Sequence, residues 1–248
     1  MLISVQLYSV REALAADPIA TLTALRDMGF ESVEPFGLLE WAGTLRTALP
    51  DLGLTAPSTH AGVLSEADPA RLFAEAAKLG VRTVIDPHRD RSHWTSADDI
   101  RRTADLLNGL AGTAAEEGVR LGYHNHEFEV ETDFEGRTGL EVLSEDLDPR
   151  VVLEVDTFWA AVGGQDPAQL LRRLGQQVQL VHLKDGPLNR ETSQQKPIGQ
   201  GEMDVPAILE AAPWLEIGVI EFDDYAGDVL DGIRQSREAL GRLQSNGE

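Results

Sequence analysis

The sequence predicts an α/β protein, a single (β/α)8 TIM barrel over residues 1–248. Three observations predict it. Eight short β-rich runs recur along the chain, with stretches of helical spacing between them. The chain divides into about 31 residues per unit, room for one strand, one helix and their turns. The turn after the first run, Tyr8-Ser9-Val10-Arg11-Glu12, lacks a GxGxxG pattern, so an open dinucleotide-binding sheet is not expected.

The runs are ISVQLYS (3–9), SVEPF (32–36), TAPSTH (55–60), RTVIDPH (82–88), VRLGYHNH (119–126), VVLEVDTF (151–158), VQLVHLK (178–184) and IGVIEFD (217–223). Successive parallel strands need a crossover, usually a helix. Helical spacing is found where it is needed: Leu22, Leu25 and Met28; Leu72, Ala76 and Leu79; Ile100, Ala104, Leu107 and Leu110. Asp17-Pro18, Asp68-Pro69 and Asp166-Pro167 each place a capping carboxylate before a proline at the first helical position; Asp204-Val205-Pro206 is a looser version. Gly29, Gly80 and Gly118 end helices just before a new strand. No low-complexity linker breaks the series, and the tail QSNGE (244–248) is expected to fray.

Charge narrows the function. Lys and Arg number 21 against 42 Asp and Glu, a net charge of -21. That field repels phosphate backbones and anionic membranes, so no nucleic-acid and no membrane partner is expected. The absence of cysteine excludes disulfides, thiolate metal sites and a cysteine nucleophile. No signal peptide is expected at MLISVQLYSV, and no apolar stretch is long enough to span a bilayer. A cytoplasmic protein is expected, and a homo-oligomer is allowed.

A barrel of this kind carries its site at the C-terminal ends of its strands. The polar residues expected there are Gln6, Tyr8, Glu34, His60, Asp86, His88, His124, Asn125, His126, Glu127, Glu154, Asp156, His182, Lys184, Asp185, Glu221 and Asp223. Side chains alternate along a strand, so Val152 shares a face with Asp156, Leu180 with His182, and Val219 with Glu221. If the apolar residues fill the barrel, the three polar ones point inward as well. Buried carboxylates need partners. Any one of these groups is explained by an ion-pair network at the rim, but three on successive strands point to a shared divalent cation. Two carboxylates and an imidazole without sulfur suit Mn, Co, Zn or Mg. The fifth run supplies a fourth candidate ligand, His124 or Glu127. Gln6, Glu34, His60, His88, Trp159 and Lys184 are candidate substrate contacts, with Lys184 alternatively paired to Asp185. The glycines of PIGQGEMD (197–204) offer backbone N–H groups to an anion, or form only a tight turn.

Several phrases are similar to those of one known family. VQLYSVRE (5–12), GFESVEPFG (29–37), LGYHNHEFE (121–129), LEVDTFWAAVGGQDP (153–167), VHLKDG (181–186), IGQGEMD (198–204) and IEFDD (220–224) together resemble the sugar phosphate isomerase/epimerase family of xylose isomerase-like TIM barrels. Inosose dehydratases, tagatose-type 3-epimerases and endonuclease IV are also members of that superfamily. The resemblance implies metal ligands at Asp156, His182 and Glu221. The glutamate that many members carry on the fifth strand falls on His124, so His124 ligates, or Glu127 reaches in, or a water fills the place. The histidine that epimerases often carry three residues after the aspartate is Trp159.

The chemistry implied is proton abstraction next to a carbonyl of a sugar, keto-sugar or sugar phosphate. Glu221, His126 and Glu127 are the candidate catalytic groups. Returning the proton to the neighbouring carbon isomerises, returning it to the opposite face epimerises, and expelling a β-hydroxyl dehydrates. Phosphodiester cleavage would need more metal ligands and basic loops. A non-catalytic sugar-binding barrel would need no metal.

Overall fold

The computed structural model describes residues 1–246. Seven parallel strands run β1 (Leu2–Val5), β2 (Ser58–His60), β3 (Thr83–Asp86), β4 (Arg120–His124), β5 (Val151–Asp156), β6 (Val178–Leu183) and β7 (Ile217–Ile220), in the spatial order β1-β7-β6-β5-β4-β3-β2. Helices follow the strands and cover the outside. The expected run at 32–36 is not a ladder strand but joins both neighbours through single bridges, Gln6 to Glu34 and Ser32 to Thr55. Glu34 N donates to Val5 O at 2.8 Å, and His60 N donates to Pro35 O at 2.8 Å. Pro35 has no N–H to continue a ladder, which limits this segment to bridges while it still closes the barrel. The fifth to eighth expected strands are therefore β4 to β7.

The strands also stop earlier than expected. Residues Leu7–Val10 turn into a 3-10 helix and Thr157–Val162 into an α-helix, where Asp156 caps the start by accepting from Trp159 N at 2.8 Å. The Asp-Pro caps form as expected: Asp17, Asp68, Asp166 and Asp204 each accept from the N–H three residues on, at 3.0 to 3.1 Å. Gly29, Gly80 and Gly118 take φ of 87, 82 and 75°, which a β-carbon disfavours. Of the tail expected to fray, the described part is helical. The last helix runs Val229–Asn246, and Gln244 Nε2 donates to Met1 O at 3.0 Å, tying it to the start of the chain. Gly247 and Glu248 lie outside the described residues.

The core has two compartments. A large apolar layer lies between strands and helices. A separate cluster of Ile85, Val152, Leu180, Ile217 and Val219 fills the inside of the barrel. Val152, Leu180 and Val219 thus point inward, as alternation requires, and Asp156, His182 and Glu221 point inward above them. Gly122 lies level with this floor, in register with Ile85 and Val152. A β-carbon on Gly122 would come within 2.5 Å of Ile85 Cδ1 and 3.2 Å of Val152. Gly122→Ala should therefore lower stability by about 1–3 kcal/mol through overpacking, measured as a shifted urea midpoint at unchanged slope.

Candidate metal centre at the barrel mouth

The C-terminal ends of the strands meet below a cavity of about 590 Å³, lined by Tyr8, Phe36, His60, His88, His124, His126, Lys184, Glu221 and Asp223 among others. Under it lie two tiers of buried charge. The upper tier holds Asp156, His182 and Glu221, whose ligand atoms lie within 4.8 Å of one another. His182 Nδ1 is 2.8 Å from Glu221 Oε2. Lys184 Nζ lies 2.9 Å from Asp156 Oδ2, 2.7 Å from Glu221 Oε2 and 2.8 Å from Asp223 Oδ1. The lower tier holds Glu34, His60, His124 and Glu154. Glu154 Oε2 is 2.6 Å from His60 Nε2, 3.0 Å from His124 Nδ1 and 3.2 Å from His182 Nε2. Glu34 Oε1 accepts from Gln6 Nε2 at 2.9 Å and lies 2.9 Å from His182 Nε2, while Ser58 Oγ donates to Glu34 Oε2.

These contacts set the charge states. Burial disfavours a charged His182, but Glu154 and Glu221 outweigh it and hold the imidazole well above its ordinary pKa. Burial also opposes Lys184 ionisation, and Asp156, Asp223 and Glu221 override it, raising its pKa well above normal. His124 is held well below the usual imidazole range by burial and by its neighbour His182. Of the adjacent carboxyls, Glu34 is raised by burial and by Glu154. Glu154 stays well below normal because His182 and His60 outweigh its burial. For His126, burial lowers the pKa but Glu129 raises it further, and the net shift is upward.

The remaining candidates are distributed as follows. His126 lines the cavity, with its side chain 30% exposed and its ring 5.2 Å from that of His88. Glu127 does not reach the centre: Arg91 Nη2 lies 2.8 Å away and Arg190 Nε 3.3 Å away, which turns its carboxylate to the rim. Gln6 and Glu34 lie fully buried beneath the cavity rather than on its wall. Trp159 is also buried, with Lys184 Nζ 5.7 Å from its ring centre, and is not among the cavity-lining residues. Lys184 does not pair with Asp185. Asp185 instead accepts from the N–H groups of Gly186, Gly199, Gly201 and Met203 at 2.8 to 3.1 Å, so the donors of the glycine loop are spent on a side chain of the chain itself. Sequence reasoning missed Ser58 and Gln195. Gln195 Nε2 donates to Asp223 Oδ2 at 2.6 Å and anchors the carboxylate that holds Lys184. The signal for Ser58 was the pleat of the run expected at 55–60, on which it shares a face with His60, and Gln195 comes from a loop remote in sequence.

The donor set of the upper tier fits a divalent cation. Asp156 Oδ2 is buried and receives no well-directed hydrogen bond, although Lys184 Nζ is close. Two carboxylates and one imidazole converge there from three neighbouring strands.

The chain matches the xylose isomerase-like TIM barrel family over residues 22–240. It belongs to that family. Among curated relatives of this xylose isomerase-like barrel, an inosose dehydratase of Geobacillus kaustophilus (strain HTA426) is 35% identical over 122 residues, 46% of this chain and 37% of the relative. The match thus spans little more than a third of that relative's length. Among solved structures, a sugar phosphate isomerase/epimerase of Parabacteroides distasonis ATCC 8503 superposes with a TM-score of 0.78 at 24% identity, over 96% of this chain and 92% of that one. The IOLI protein with a bound zinc atom superposes at 0.72 and 15% identity, over 99% of both chains. These likenesses share the barrel fold. Among the described residues, no helix is long and apolar enough to cross a membrane.

Asp86, at the end of β3, accepts from Leu64 N at 2.8 Å and His88 N at 3.3 Å. Burial outweighs these donors and pushes its carboxyl from 3.8 up to about 6. Between those values the folded chain holds a proton the unfolded chain has lost, so stability falls as pH rises. The loss from this group is on the order of 3 kcal/mol, complete above the folded pKa. Asp86→Asn should therefore gain about that much relative to wild type between about pH 4 and about pH 7, read from urea midpoints at each pH. A difference that stays flat with pH would refute the assignment.

Proposed function

We propose that the chain is a divalent-metal-dependent isomerase or epimerase that abstracts a proton next to the carbonyl of a sugar, keto-sugar or sugar phosphate. The convergence of Asp156, His182 and Glu221 within 4.8 Å under an open cavity carries the reading. Asp156, His182 and Glu221 would hold a divalent cation, which would supply polarisation of a carbonyl and its neighbouring hydroxyl and stabilise the charge left when the proton is removed. Three protein ligands leave a side open for water or substrate oxygen, the pattern of a catalytic rather than a structural site.

The chain's own groups supply the rest. Glu221 lines the cavity, with Oε2 held by His182 and Lys184, so it is both ligand and the nearest proton acceptor. His126 lines the same cavity and follows β4, three strands from the strand that precedes Glu221. Two proton carriers on well-separated strands support removal from one side of a bound sugar and return from another, as epimerisation needs, while one of them alone suffices to move a proton between neighbouring carbons. Lys184, with three hydrogens to donate and Asp223 to hold it, is placed to bind a substrate oxygen. His60 and His88 line the wall beside them.

One observation favours a second reading. Inosose dehydratases are the curated relatives matched, at 30 to 35% identity over parts of the chain. The same proton abstraction followed by loss of a β-hydroxyl is dehydration of a keto-inositol or keto-sugar, with His126 or Lys184 placed to protonate the departing oxygen.

The test is incubation with manganese or cobalt and a panel of keto-sugars in deuterated water. Deuterium at the carbon next to the carbonyl is expected, with a rearranged sugar marking isomerase or epimerase and loss of water marking the dehydratase. Asp156→Ala should abolish exchange, and His126→Gln should slow it by about 10²–10⁴-fold. A metal-loaded protein that exchanges no substrate proton on the panel while binding sugars would instead favour a non-catalytic barrel.

A further inference from the structure

We propose that a second divalent cation binds in the lower tier, inside the barrel, held by His60 Nε2, His124 Nδ1 and the carboxylate of Glu154. This site stands whether or not the upper one is catalytic. His60, His124, Glu154 and His182 offer one ligand atom each, all within 4.8 Å of one another, from the ends of β2, β4, β5 and β6. His60 Nε2 and His124 Nδ1 both point at Glu154 Oε2, at 2.6 and 3.0 Å. The other oxygen, Glu154 Oε1, is buried and has no hydrogen-bond partner. A buried carboxylate oxygen without a donor is costly, and a bound cation satisfies it.

Charge balance supports the same conclusion. Glu34 and Glu154 are both fully buried, and among the described residues their ion-pair partners are the three histidines, with no lysine or arginine. The upper tier already has an ammonium, Lys184, against Asp156, Glu221 and Asp223. The lower tier has no cation of its own that is independent of protonation.

Both tiers can be loaded with neutral imidazoles. Each neutral ring ligates through one nitrogen and keeps a proton on the other. His182 presents Nδ1 to the upper tier, and its Nε2–H donates to Glu34 Oε1 at 2.9 Å. His124 presents Nδ1 to the lower tier, and its Nε2 lies 3.8 Å from Asp156 Oδ2. Two imidazoles with one carboxylate favour zinc or cobalt over magnesium, whereas the oxygen-richer upper set accepts manganese or magnesium.

The test counts metal. Protein stripped by a chelator is titrated with cobalt(II), and bound metal is read by elemental analysis and by visible absorption, which is intense for a four-coordinate nitrogen-rich site. Wild type should bind two cobalt ions, and His60→Gln and Glu221→Gln one each, through different tiers. His60→Gln should lose the intense band and Glu221→Gln should keep it. Glu154→Gln, nearly isosteric, repeats the measurement if His60→Gln does not fold by circular dichroism. A single ion lost in Glu221→Gln but retained in both lower-tier variants overturns the proposal and leaves the upper site intact. A single ion lost in both lower-tier variants but retained in Glu221→Gln supports the proposal and counts against the upper-site reading.

Discussion

His182 is the interaction on which the mouth of this barrel depends. Its ring is fully buried, and its two nitrogens connect the carboxylate tiers, Nδ1 to Glu221 and Nε2 to Glu34 and Glu154. Ionised carboxylates inside a protein cost several kcal/mol each unless paired. Here Glu34, Glu154, Asp156 and Glu221 are buried within one barrel, and His182 touches three of them. Removing that ring would take one contact from each of three buried carboxylates at once, leaving Glu34 to Gln6 and Ser58, Glu154 to His60 and His124, and Glu221 to Lys184.

The barrel creates this crowding by geometry. Parallel strands align their C-terminal ends, and the period of two sends alternate residues inward from each. On β5, Val152, Glu154 and Asp156 rise in sequence from apolar floor to lower tier to upper tier. On β6 and just past its end, Leu180 belongs to the floor, His182 lies in register with Asp156 and touches both tiers, and Lys184 follows among the upper carboxylates. The floor of Ile85, Val152, Leu180, Ile217 and Val219 keeps water from entering below, and a glycine at 122 leaves room for it. The site is polar because the barrel is filled only halfway by hydrocarbon.

Much of this was legible in the sequence. Apolar-then-polar alternation on 151–158, 178–184 and 217–223 placed Asp156, His182 and Glu221 on one inner face before any coordinates. The Asp-Pro caps and the helix-ending glycines were equally readable, because both are local in sequence. What failed was non-local. Pro35 breaks a ladder only because its missing N–H falls on the side of the neighbouring strand, where its carbonyl accepts from His60 N. Glu127 looked central because it follows His126, but Arg91 and Arg190, from two distant loops, draw it to the rim. Asp185 looked like the partner of Lys184 because it is adjacent, yet adjacent residues at a strand end point to opposite faces, and Asp185 faces the glycine loop. Glu154 was visible as an inward residue, but the three histidines around it come from three strands that only the closed barrel brings together.

Lys184 and a divalent cation compete for the same upper carboxylates, and the surrounding contacts show how the competition resolves. Lys184 Nζ contacts Asp156 and Glu221 through one oxygen each, but Asp223 through both oxygens, at 2.8 and 2.9 Å. Asp223 is itself fixed by Gln195, through its side chain and through its backbone N–H. On the proposed reading a dication would compete with the ammonium for Asp156 and Glu221 with twice its charge. The lysine then keeps its two-point contact with Asp223, whose position does not depend on the cation. That contact lies at the cavity wall, where both residues line the open space. The lysine thus stands among three carboxylates, with Asp223 as the partner it would keep beside a metal.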